Sequence, residues 1–288
     1  MKTTLATALL AACTGVAALA FSATADAARV GYVNNGCYGS QGGAPEIAAA
    51  GHTPVALPSY ASITAEQLNG LAAVFVGSCW SGTNPAVDGA VAAGMALLVH
   101  DNDYPEEAGA RLPGNYLFGV ANGSSEADIN FTSAARFLGG PAGTLNNASL
   151  DGGNSSNHGI VSTATLAAGI RVLATGTAAS EATIIEYAHG SGRVVYSTIP
   201  LSCYLNGGGC AQPGGGLEAV SAGMQRYATN LVAHYAGPLF TTCAAEGYTG
   251  AKLTMCRSVC ESGATGTTLA GRIRLYTAIY RETPPCGL

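Results

Sequence analysis

The stretch from Leu71 to Asp103 reads LAAVFVGSCWSG (71–82), TNPAVDGAVAAGM (83–95) and ALLVHDND (96–103). Ala72 to Val76 and Ala96 to Val99 are short continuous apolar runs, as expected of strands buried on both faces of a parallel sheet. Asn84 followed by Pro85 pairs a capping residue with a first-turn proline, so a helix is expected to start there. Together the segments form a βαβ unit, whose loops after the strands open on the rim where α/β proteins bind ligands. Those loops carry Cys79, Trp80, His100, Asp101 and Asp103. This unit decides the fold class: α/β, with a mostly parallel sheet.

Working outward, Arg29 to Asn34 is expected as a first strand and Thr53 to Leu57 as a second, with a short helix from Pro45 to Ala50 between them. The turn from Asn35 to Ser40 is rich in glycine but matches neither GxGxxG nor GxxxxGK[ST], so its glycines are read as turn chemistry. Thr64 and Gln67 have the spacing of a capping box. From Tyr104 to about Ser162 the chain is heavy in Gly, Asn and Ser. It includes a strand-like piece from Tyr116 to Val120 and tight turns around Leu145 to Gly153. Three more strands follow, at Ile170–Ala174, Thr183–Tyr187 and Arg193–Thr198, the last two joined through Ala188 to Gly192 as a hairpin. Leu217 to Tyr235 carries apolar residues at helical spacing and is expected to dock on the sheet.

Gly237-Pro238 marks a change. Beyond it come Cys243, Cys256, Cys260 and Cys286, together with the basic residues Lys252, Arg257, Arg272, Arg274 and Arg281. Gly250 to Glu261 and Thr268 to Tyr280 are expected as two helices, the second with Leu269, Ile273, Tyr276 and Tyr280 on one face. About fifty residues bury little apolar surface alone, so a disulfide-stapled helical hairpin is expected. The boundaries are therefore 1–27, 28–238 and 239–288.

Residues 1–27 read as a secretory signal peptide: Lys2, an apolar run from Leu5 to Phe21, and Ala23 to Ala27 as the cleavage region. A lipobox at Leu10-Ala11-Ala12-Cys13 is the minority alternative. No later run reaches the ~20 apolar residues of a membrane span. Charged residues make up 10% of the chain and the net charge is -5, which supplies no basic stripe for nucleic acid. Without Cys13, eight cysteines remain (37, 79, 203, 210, 243, 256, 260 and 286), an even number that in an exported chain reads as four disulfides. No CxxC pair exists and the histidines are scattered, so neither a metal nor another cofactor is expected.

Three segments resemble the class I glutamine amidotransferase-like family in its trehalose-utilisation-type branch. Leu71–Gly82 resembles the strand and glycine loop that shape that family's oxyanion hole. Val91–Asp101 is similar to its helix, strand and nucleophile elbow, and Gly190–Thr198 to the hairpin strand before its catalytic histidine. The resemblance covers roughly residues 29–236 and implies a flavodoxin-like three-layer sandwich. It does not carry catalysis across: active members have G-x-C-x-G at the elbow, where this chain has Val99-His100-Asp101-Asn102-Asp103, and Pro200-Leu201 stand where the histidine comes. The flavodoxin-like order makes the first and third strands neighbours, so Cys37 and Cys79 leave one rim side by side and are expected to pair. The competing reading makes Cys79 a nucleophile. Cys203–Cys210 closes a glycine-rich loop; in the tail Cys256–Cys286 with Cys243–Cys260 is favoured among three connectivities.

Two functions remain open. One is a secreted or cell-surface binding or scaffold protein for an extracellular or envelope ligand, with Trp80, Asn35 and Tyr38 as candidate binding residues at the rim. Trp80 can stack on a sugar or peptide ring, or cover a Cys37–Cys79 bridge. The other is an exported hydrolase using His100, Asp101 and Asp103. It requires a turn that brings His100 and Asp101 together, because neighbours on a strand point to opposite faces.

Overall fold

The apolar runs assemble into one sheet in a computed structural model. It describes residues 27–33, 43–77, 80, 82–101, 111–116, 120–121, 128–151, 159–205, 221–237, 243, 248–260, 266–282 and 284. In chain order the first half contains β1 (Arg29–Val33), α1 (Ala44–Ala49), β2 (Thr53–Leu57), α2 (Ala65–Leu68), β3 (Leu71–Val76), α3 (Pro85–Ala92) and β4 (Ala96–His100). Short strands β5 (Val120–Ala121), β6 (Asn130–Phe131) and β7 (Ile160–Ser162) follow, then β8 (Arg171–Thr175), β9 (Glu181–His189) and β10 (Gly192–Ser197). The helices α4 (Leu201–Tyr204), α5 (Ala222–Ala236), α6 (Gly250–Cys260) and α7 (Gly266–Tyr280) complete the chain.

Five strands run parallel in the order β2-β1-β3-β4-β10, the order of a flavodoxin-like sheet. β10 then pairs antiparallel with β9, which also carries β8 and β7, and two-residue strands extend these (β6 on β8, β5 on β7). The mixed α/β architecture agrees with the reading of the central stretch. Of the piece expected from Tyr116 to Val120, the described residues keep only a Leu112–Tyr116 bridge and β5.

Alternation along the strands sends side chains to two cores. On one face Phe75, Leu98 and Val195 pack with Ile47 of α1 and with Tyr227 and Leu231 of α5. On the other, Val74, Leu97 and Val194 pack with Leu68 of α2 and with Val87 and Val91 of α3. Three layers result. The caps are formed as the sequence indicated. Thr64 and Gln67 close a reciprocal capping box, and Asn84 Oδ1 accepts from the Ala86 and Val87 amides. Asn84 Nδ2 also donates to the Tyr60 and Ile63 carbonyls, at 2.7 and 2.9 Å, which anchors the start of α3 to the turn before α2.

α5 begins at Ala222, where the Ser221 hydroxyl caps it by accepting from the Met224 amide; the expected stretch from Leu217 to Val220 lies outside the described residues. Strand β9 runs on to His189, leaving Gly190 and Ser191 as a two-residue turn, with Gly190 at φ 58°.

The tail is a helix pair whose buried residues are Cys243, Cys256, Val259 and Tyr276. One carboxylate oxygen, Glu282 Oε1, accepts from the Tyr248 and Tyr276 hydroxyls and from Lys252 Nζ at 2.7–2.9 Å. The disulfide here is Cys243–Cys256, with Cα atoms 5.6 Å apart. This overturns the favoured Cys256–Cys286 and Cys243–Cys260 pairings. Cys256 and Cys260 lie one turn apart on α6, and Cys243 is bonded to the one nearer in sequence. If all four tail cysteines are oxidised, Cys260 is left with Cys286. Non-reducing peptide mapping should therefore recover a Cys260–Cys286 linked peptide; alkylation of either thiol without prior reduction would exclude it.

Candidate functional site

The rim that the sequence singles out lies at the C-terminal ends of β3, β4 and β10. Of its candidate residues, Asn35, Tyr38, Cys37, Cys79 and Asp103 lie outside the described residues, as do Cys210 and Cys286. Cys203, buried in α4, is disulfide-bonded.

His100 is 0% exposed at the end of β4. Its ring lies 5.3 Å from Phe75 and 5.6 Å, edge-on, from Tyr227. Nε2 is 3.1 Å from the Tyr227 hydroxyl. Nδ1 lies toward the Val76 carbonyl without a hydrogen bond of normal geometry. Burial pushes the His100 pKa down to about 3, so the imidazole is neutral. The Tyr227 hydroxyl, raised by burial, also meets Ser197, whose Oγ accepts from the Ile199 amide. Ser197 is the register partner of His100 across β10 and β4. The result is a closed polar chain, His100–Tyr227–Ser197, inside the α5 face of the sheet.

Asp101 is 2% exposed and turns the other way. Its amide donates to the Ser197 carbonyl at 2.8 Å, and Oδ2 accepts from the Tyr196 hydroxyl at 3.2 Å. Tyr196 belongs to the core on the α3 face, whereas Phe75 and Tyr227 belong to the core on the α5 face. The strand alternation persists through the turn, and the structure does not bring His100 and Asp101 together. A general base must reach the proton it takes; this imidazole reaches Tyr227 and the Val76 carbonyl.

Trp80 is 4% exposed, with its ring edge-on to Tyr60 at 6.1 Å, so its face is packed and not presented to solvent. Pro200 and Leu201 open α4, where the Ser202 amide donates to the Gly77 carbonyl at 2.9 Å. This short buried helix leans on the turn after β3.

A cluster that sequence reasoning missed sits at the opposite end of the sheet. Asp88 of α3 accepts from the Gly114 amide at 2.8 Å through Oδ1 and faces His189 Nε2 at 3.3 Å through Oδ2. The pair ties residues 112–116 to the hairpin end. Its members are 101 residues apart, and only the i+4 relation of Asp88 to the cap Asn84 hinted at an outward-facing helix position. Among the described residues no three His, Cys, Asp or Glu side chains stand close enough to hold a metal ion.

Cavities among the described residues include one at the far end of the sheet and one beside the loops that follow β2 and β3. One, of about 610 Å³, is an apolar groove between α2 and α3, lined by residues including Leu68, Leu71, Ala86, Gly89, Ala90 and Met95. The other, of about 210 Å³, lies beside Tyr60, Asn84, Asp88 and Arg111. Neither is lined by His100, Asp101 or Trp80.

No family model and no curated protein matches the chain. Solved structures to which it is similar include the cytoplasmic protein STM1381 from Salmonella typhimurium LT2, at 13% identity over 73% of this chain and 100% of that one (TM-score 0.41). Another is a putative GMP synthase component from Thermoplasma acidophilum, at 11% identity over 73% of this chain and 96% of that one (TM-score 0.38). A third is the exo-β-1,4-mannosidase Op5Man5 from Opitutaceae bacterium strain TAV5, at 13% identity over 61% of this chain (TM-score 0.38). This chain spans 32% of that mannosidase's length.

Proposed function

We propose that the chain is a binding or scaffold protein, exported and built on a degenerate amidotransferase-like body of residues 28–238, with residues 239–288 as an attachment or recognition module. The observation that carries this reading is His100. Acyl transfer needs a nucleophile on a strained turn after the central strand, near oxyanion-stabilising amides and touching a histidine. At that point the chain has a fully buried imidazole bonded to Tyr227, followed by Asp101 on the opposite face. Cys203, the cysteine nearest along α4, is disulfide-bonded.

Export rests on residues 1–27 and on the disulfides, which form and persist in oxidising compartments. No helix among the described residues is long and apolar enough to cross a membrane. The ligand belongs to the extracellular or envelope space.

The test is an ammonia-release assay on glutamine and comparable amides with the purified protein. Release should equal a no-enzyme control, and Cys79→Ser should leave it unchanged. Turnover above the control that disappears in Cys79→Ser would place a nucleophile on the β3 turn and end the non-catalytic reading.

A further inference from the structure

Helix α7 buries one face and leaves another bare. Tyr276 is buried and Leu269, Ile273 and Tyr280 pack partly against α6, whereas Leu275 and Ile279, one turn apart, are 50% and 52% exposed. These two are the large hydrophobic side chains that the described residues leave exposed. Exposed Arg274 and Arg281 flank them. The body carries the complementary feature. The α2–α3 groove of about 610 Å³ is floored by Leu68, Leu71 and Met95 and walled by Ala86, Gly89 and Ala90 of α3. Low walls of this kind let another helix approach closely and seat branched side chains.

Charge favours the same match. Residues 28–238 carry six Lys and Arg against thirteen Asp and Glu, while residues 239–288 carry five against three. An acidic body and a basic tail attract one another during encounter.

We propose that the α2–α3 groove receives helix α7 of a second copy of this chain, with Leu275 and Ile279 as the inserted side chains. The chain's own α7 is not seated there, since both residues are half exposed. Reciprocal exchange fills both grooves and closes the assembly as a two-fold dimer rather than an open polymer. Cys243 is tied to Cys256, so the tether between α5 and the tail is the six residues 237–242, a reach of up to ~20 Å when extended.

The experiment uses the full mature chain, with light scattering after size exclusion over a concentration series. The wild type should approach twice the monomer mass as concentration rises. Ile279→Asp, on an exposed position, should hold the protein at monomer mass. Gly89→Arg should do the same from the groove side. A side chain at Gly89 meets nothing within 4 Å, and arginine suits a helix better than glycine, so its melting temperature should not fall. A wild type that stays monomeric at its highest soluble concentration overturns the proposal. So does a dimer that persists in Gly89→Arg. Monomeric protein that binds anionic vesicles through Ile279 would assign the face to lipid and overturn it equally.

Discussion

Gly192→Ala should destabilise the folded protein by about 3 kcal/mol or more, among the larger effects a single methyl group produces. Gly192 opens β10, and a Cβ there would strike the carbonyl oxygens of Val91 and Met95. Both are backbone atoms, one in α3 and one in the turn into β4, so neither can rotate aside. The hairpin tip is pinned against α3 from two further points: the Ser191 amide donates to the Ala92 carbonyl at 2.9 Å, and a Cβ at Gly190 would also meet that carbonyl. Relief would require sliding the hairpin away from α3, which disturbs the β10–β4 pairing at the centre of the sheet. Gly139→Ala is the matched control, because nothing lies within 4 Å of its added Cβ; it should stay within about 0.5 kcal/mol of wild type. Denaturant melts that place the two variants together would mean the close approach does not exist in solution.

Acid should weaken the fold through His100. In the folded state its pKa lies near 3, because burial opposes the charged form, against an ordinary value of 6.5. Above pH 6.5 the ring is neutral in both states and contributes no pH dependence. Between 6.5 and about 3 the unfolded chain takes up a proton that the folded chain refuses, so stability falls by about 1.4 kcal/mol per pH unit. His52, also lowered by burial, adds in the same direction. Glu46, raised by burial, opposes it, since its proton favours the folded form as pH drops. His100→Gln separates these contributions. The variant should be less stable at pH 7, having lost the ring packing against Phe75 and Tyr227, but its stability should fall less steeply from pH 6.5 to 4. Equal slopes for wild type and variant would mean that His100 takes up its proton in the folded state too.

The parallel half of the sheet was legible because both of its signals are local. The apolar runs of β3 and β4 and the Asn84-Pro85 start of α3 need no distant partner to be read. The opposite directions of His100 and Asp101 also follow from strand alternation alone. What seals His100 was not legible. Tyr227 lies 127 residues away, and nothing in its own helix distinguishes it from other core aromatics. The start of α5 was available in Ser221, a capping residue, but the apolar period running back through Val220 to Leu217 masked it. The tail bridges failed for a different reason. Two cysteines one turn apart on a single helix are equivalent to any sequence argument about reach, and only the path of the chain into the helix separates them.

The two ends of the sheet bear on how this protein behaves at high concentration. A sheet border offers unpaired amides to any other strand, and extended chains can stack on it without limit. β2 forms one border, and Pro54, its second residue, has no amide hydrogen to offer. Toward the other side the outermost strands, β5 and β6, are two residues long, too short to template a neighbour. A protein guarded in this way should resist fibril formation even when crowded, leaving helix faces as the surfaces through which copies can meet.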